Sequence, residues 1–375
     1  MRQKMRFAGL LLSLVSSLFL PLVAMAHKDA IGAVYTMSNA VSGNSVLVFD
    51  RDITGKLTPA GEFPTEGLGT GSGLGNQGAV ILDPANRWLF VVNPGSDDIS
   101  VFTIEDDGLE LLDRVSSNGQ QPISLTYSHN LLYVLNAGGG VGGSDSISGF
   151  IVGADGKLTP IADSTRPLSD VSTGPAQIQF NADGDVLVVT EKATDTIDTY
   201  TLDSNGIPSD PNPQPSSGVT PFGFAFGKRD QLIVSEAAGG ATDQGSLSSY
   251  VLDQDGTLDL ISSSIATKET AACWVVVSND GRVAYTTNAG SNSVSAFHID
   301  FDGELSLLDR NGKAALTGRN STPIDMALSN DGRNLYTLNT GNATISVFRV
   351  DIKGGLKRLR TLRNLPLTAN GLAAR

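Results

Sequence analysis

The sequence predicts an all-β fold: a seven-bladed β-propeller of four-stranded antiparallel blades, the ring closed by the C-terminal strand joining blade one. Three observations carry this. A strand-like segment ending in an aromatic residue recurs seven times, its aromatics being Phe49, Phe102, Phe150, Tyr200, Tyr250, Phe297 and Phe348. A Gly turn, usually with a Leu, follows each copy, as in Gly55-Lys56-Leu57 and Gly303-Glu304-Leu305. The copies recur about every 45–55 residues, the length of one four-stranded blade. With 42 Gly, 16 Pro and almost no helix-period pattern, the composition agrees.

Along the chain, residues 1–6 are basic, residues 7–20 are apolar, and Ala24-Met25-Ala26 offers small residues before His27. This pattern predicts a signal peptide over 1–26, cleaved after Ala26, and a secreted or periplasmic product. Residues 27–375 then form one propeller domain. No other apolar run reaches membrane length, so no membrane span is expected in the mature chain. Losing Arg2, Lys4 and Arg6 takes the formal charge from −13 to −16. An acidic chain read as lacking a Lys/Arg cluster is expected to bind neither nucleic acid nor an anionic membrane. Cys273 is the single cysteine, so no intrachain disulfide forms and stability rests on burial.

The last repeat shows the blade most clearly. Ile324, Met326 and Leu328 alternate with other residues, Asn330-Asp331-Gly332 turns the chain, and three further strands follow. The segment after His27 begins at Gly32 with what matches a second strand. Residues 370–375 resemble a first strand with nothing after it. Pairing the two completes blade one and removes an open edge.

A meander of four strands sorts its turns by face. The turns after first and third strands are short and uniform, such as Asn181-Ala182-Asp183-Gly184. The irregular stretches 65–77, 137–144, 208–220 and 237–245 belong to the other face, which is where function is expected. The Asp-x-Asp-Gly turns lack the further oxygen ligands of a calcium loop and read as hairpin turns. Gly73-Leu74-Gly75-Asn76-Gln77-Gly78 fits a dinucleotide fingerprint as text, but it precedes a strand and no helix follows, so it reads as a flexible loop. The histidines at 27, 129 and 298 are too far apart for a joint metal site, and Cys273 lies among apolar residues, where thiols are inert packing. No metal and no cofactor is expected.

The channel mouth remains. Ser124, Gln177, Gly223, Trp274 and Asp325 share one register of the inner strands. Asn39, Asn93, Asn136, Glu191, Glu236, Asn288 and Asn339 stand at the ends of the second strands. The Asn residues fit turn capping. The two Glu residues are the catalytic candidates, and Gln177, Trp274, Asp325, Lys192, Ser124 and Asn288 the ligand-binding ones. Lys192 is also placed to pair with Glu191, which is the plainer reading of that acid. For Trp274, packing between blades is the plainer outcome.

The repeat Pro-x-x-x-x-Leu/Phe-Ser-x-Asp-Gly-x-x-Leu-Tyr-x-x-Asn, followed by Ser-Val-x-x-Phe and Gly-x-Leu, resembles that of the lactonase-type seven-bladed propellers. That family includes 6-phosphogluconolactonases and carboxymuconate-lactonising enzymes, and the resemblance covers nearly all of the segment 27–375. It implies a lactone-opening site with a His, an Arg and an Asn-Glu pair. Here Ala176 and Gln177 stand where the His would fall, Phe222 where the Arg would fall, and only Glu236 matches. Lactone opening needs a base for water and donors for the oxyanion. The expected function is therefore ligand or protein binding on the loop-rich face. The ligand would be a small molecule, such as a sugar acid or lactone, or the partner another exported protein, with the chain a monomer. A lactone hydrolase with a rearranged acidic site and an envelope adhesion propeller are the alternatives.

Overall fold

In the computed structural model, which describes residues 30–138 and 143–375, seven antiparallel sheets form the blades of one ring. The predicted signal peptide, His27 and residues 139–142 lie outside the described residues. The inner strands are Asn370–Ala374, Val80–Leu82, Pro122–Ser128, Pro175–Phe180, Pro221–Phe226, Ala272–Val277 and Pro323–Leu328, for blades one to seven. Blade one is shared between the two ends of the chain as the sequence implies. Val34 pairs with Ala374, Tyr35 with Ala373 and Met37 with Asn370.

The recurring aromatic of each third strand explains how the blades hold together. All seven rings are buried, none more than 7 % exposed, within apolar clusters that join neighbouring sheets. Burying a ring on this scale contributes about 2–3 kcal/mol, so the repeat is a packing code before it is anything else. The turns after the third strands need glycine for a backbone reason. Gly55, Gly156, Gly206, Gly256, Gly303 and Gly354 sit at φ between 75° and 92°. The Asp opening these turns accepts backbone N–H bonds: Asp52 from Thr54 and Lys56, and Asp351 from Lys353 and Gly355.

Three expectations are corrected. Stretch 208–220 is not one loop: Asn212–Pro215 is the outer strand of blade four, and Pro208 bridges Leu202, leaving only residues 216–220 on the loop-rich face. Segment 73–78 is not a loose loop but a plug, tied to the inner strands of blades three, four and six. Finally, a basic cluster does exist. Residues 349–363 carry Arg349, Lys353, Lys357, Arg358, Arg360 and Arg363 against the one acid Asp351, centred on the outer strand of blade seven, Leu356–Arg363.

Candidate functional site

At this inner-strand register, side chains of blades three, four and seven reach across to the next blade. The Ser124 hydroxyl accepts the Ile178 N–H at 3.2 Å. Gln177 clasps the backbone of Phe224, accepting from its N–H at 2.7 Å and donating to its carbonyl at 2.9 Å. Asp325 accepts the N–H groups of Met326 and Leu372; burial nonetheless pushes its carboxyl well above the usual range. Blade five breaks the series because Gly223 has no side chain. The plug fills the gap: Gln77 accepts from Val275 N–H at 3.0 Å and donates to Val275 C=O at 2.8 Å. A Cβ on Gly223 would collide with the Gln77 amide. Gln77 N–H also donates to Ala176, and Leu125 N–H to Gly78. Trp274 lies beneath, its indole N–H donating to Asn76 C=O at 2.6 Å and its ring 4.9 Å from that of Phe222. The packed outcome holds for Trp274, which is 4 % exposed.

The second-strand ends form a different layer, buried inside the blades. Asn288 donates to Ser293 and Ser295, Asn339 to Thr344 and Ser346, and Asn93 to Asp98 and Ser100. Glu236 occupies the same place and receives the hydroxyls of Ser246 and Ser248. Burial raises its carboxyl, and the hydroxyls with Gly218 N–H offset part of that. Glu191 accepts from Ser169 N–H at 3.0 Å and from the Ser169 and Thr194 hydroxyls at 2.5 Å. Both acids are fully buried.

Blade four replaces the repeat's serine as well as its asparagine. Asp198 stands where Ser100, Ser248, Ser295 and Ser346 stand elsewhere, facing Glu191, and Ser169 N–H reaches both carboxyl groups. Burial first, and the neighbouring Glu191 second, push Asp198 up to about 8, so Asp198 holds its proton at neutral pH. The double replacement of Asn and Ser by acids was readable from the repeat alignment.

Lys192 does not pair with Glu191. Consecutive residues at a strand end point to opposite sides. Its ammonium donates instead to Gly75 C=O at 2.5 Å and Pro175 C=O at 2.6 Å, with the Phe222 ring 4.9 Å away. Burial lowers it to about 8, and the Asp145 carboxylate counters part of that. Burial also pushes the Cys273 thiol up to about 12, which keeps it protonated. Lys192 lines a cleft of about 480 Å³ between blades three and four, together with Leu74, Gly138, Asp145, Val171 and Pro175. Asp145 is held by the N–H and hydroxyl of Thr173. The cleft thus offers one under-compensated cation, one fixed carboxylate and glycine-rich walls, dimensions and chemistry suited to a small polar ligand.

A closed seven-bladed ring with a loop-rich mouth defines the class, and comparison defines the family. The sequence profile of the lactonase, 7-bladed beta-propeller family matches residues 34–166 and 275–368, more than half of the chain. The chain belongs to that family. The stretch left between the matches, 167–274, contains blades four and five with Glu191, Lys192 and Glu236. No curated protein matches the chain. Among solved structures, a candidate 6-phosphogluconolactonase of Bacteroides fragilis is 19 % identical over 93 % of this chain and 99 % of its own, with a TM-score of 0.68. A periplasmic gluconolactonase of Pseudomonas aeruginosa is 19 % identical over 88 % and 96 %, with a TM-score of 0.69. A protein of Lactobacillus plantarum is 17 % identical over 92 % and 99 %, with a TM-score of 0.72. At these identities the likeness speaks for the fold.

Proposed function

We propose that the protein is an exported propeller that binds a small carboxylate-bearing ligand of the sugar-acid class, without catalysing lactone opening. The observation that carries this reading is Lys192. Its charge is desolvated, its hydrogen bonds go only to two carbonyls, and Asp145, the acid acting on it across the cleft, is already held by Thr173, so an incoming carboxylate is a better direct partner than it now has. Export is supported by the composition of residues 1–26 and is the setting of the Pseudomonas aeruginosa relative. Against hydrolysis stand the positions of the two acids: Glu236 and Glu191 spend their oxygens on hydroxyls and amides inside the blades and offer no base to a water at the mouth.

The test is calorimetric titration with gluconate, beside an assay of gluconolactone hydrolysis. Binding by the parent that weakens at least about ten-fold in Lys192→Met, the scale of one lost charged hydrogen bond, is expected. Hydrolysis by the parent above background, or gluconate binding indifferent to Lys192, would overturn the reading.

A further inference from the structure

The charge of this chain is unevenly placed. Residues 310–375 hold 11 of the 26 Lys and Arg residues and only three of the 39 acids, a net charge of +8 within a total of −13. Much of this excess lies on the outer strand of blade seven. Lys357, Arg358, Arg360 and Arg363 are all exposed along its eight residues. Among the described residues none of the four forms an ion pair; Arg358 donates only to the Thr361 hydroxyl.

Charges on an edge strand ordinarily guard it against pairing with another chain. That purpose does not explain this strand. The outer strands of blades one, five and six, Leu57–Pro64, Leu258–Ala266 and Leu305–Leu307 with Ala315–Leu316, carry no Lys or Arg at all. Blade two's carries one, Arg114, and it is bound to Asp98. If edge protection needs so little there, four unpaired cations on one strand answer another demand.

The same strand is bordered by exposed aliphatic side chains. Ile352, at the turn that leads into it, is 98 % exposed, and Leu367, just beyond its far end, is 68 % exposed. Leu316 lies on the neighbouring strand Ala315–Leu316, which packs beside it, and is 57 % exposed. Cations flanked by aliphatic tips suit a bilayer, whose headgroups take the charge while its boundary takes the apolar atoms. A single-stranded nucleic acid would call for aromatic stacking surfaces, which this edge does not expose, and a duplex would leave the aliphatic tips without a partner.

We propose that the outer edge of blade seven docks on a lipid bilayer containing anionic headgroups. Lys357, Arg358, Arg360 and Arg363 lie along the headgroups, and Ile352, Leu316 and Leu367 reach the interface. The acidic remainder of the ring is repelled, so the charge asymmetry sets one orientation. The ring then stands edge-on to the membrane, with its loop-rich face open at the side. This inference is independent of the ligand proposed for the cleft.

The experiment is co-sedimentation with phosphatidylcholine vesicles, with and without phosphatidylglycerol, at about 0.1 M and about 0.5 M salt, where screening differs strongly. Binding to the phosphatidylglycerol vesicles alone, lost at the higher salt, is expected. The variant R358E/R360E should bind at least about ten-fold more weakly, and Ile352→Asp about five-fold more weakly. Both changes lie at exposed positions, and circular dichroism confirms that the variants fold. No sedimentation of the parent would overturn the proposal, as would sedimentation indifferent to the double reversal. Equal binding to heparin that ignores Ile352 would assign the edge to a soluble polyanion and overturn it too.

Discussion

Gln77 and Gln177 make the same pair of hydrogen bonds to equivalent residues of adjacent blades, one from a loop and the other from a strand. Gln177 clasps Phe224, and Gln77 clasps Val275. The glycine at 223 and the glutamine at 77 are therefore two halves of one solution, 146 positions apart in the sequence. Gln77→Ala leaves the Val275 N–H and C=O without these partners at a half-buried site and is expected to cost about 2 kcal/mol. Urea denaturation measures the loss, and amide exchange at Val275 should accelerate locally. An unchanged midpoint would show that the plug contributes nothing to the ring.

Removal of residues 370–375 takes away the inner strand of blade one and exposes edges on both sides of the seam. The melting temperature should fall by several degrees with the loss of cooperativity. A truncated chain melting within about one degree of the parent would contradict the seam's importance, since ~1 kcal/mol moves a large domain by a few degrees.

The proton that Asp198 holds beside Glu191 makes stability depend on pH. Asp198 keeps its proton in the folded protein up to about 8, whereas an unfolded chain releases it near ~3.9. The folded state therefore binds more protons across that window, and this contribution is complete below about pH 4 and lost as pH rises through about 8. Asp198→Asn keeps a donor for Glu191 without a titrating group. It should flatten the stability profile between these limits and raise stability at pH 8 by at least ~1 kcal/mol. Denaturation curves at a series of pH values decide it, and an unaltered slope would refute a raised Asp198.

Lys192 gives ligand binding its own pH dependence. The ammonium loses its proton near 8 when the cleft is empty, and a carboxylate binds the charged form. Gluconate affinity should be flat below that pH and fall towards ten-fold per unit above it. Calorimetry across pH 6–10 reads this directly. A flat profile would place the carboxylate elsewhere.

The ring, its blade number and its seam were legible because the aromatic of each third strand repeats with the packing that needs it. The plug was not. Its glycines look unstructured locally, and the contact that fixes it, Gln77 with Val275, spans 198 residues. Glu191 and Lys192 misled for the opposite reason: they are neighbours in sequence, yet their strand turns one into the blade and the other towards the mouth. The basic strand was present in the sequence as Lys357-Arg358-Leu359-Arg360, masked by a chain-wide excess of acid.

The divided first blade also bears on biosynthesis. Strand Gly32–Met37 leaves the ribosome early, but its inner partner Asn370–Ala374 comes roughly 330 residues later. At translation rates of about 5–20 residues per second, that first sheet waits on the order of 15–70 s with its inner edge unclaimed. Until then six blades can form in succession, yet none can complete the circle. A chaperone or a pause that shields residues 32–37 during this interval would act on yield alone, leaving the finished ring no more stable than before.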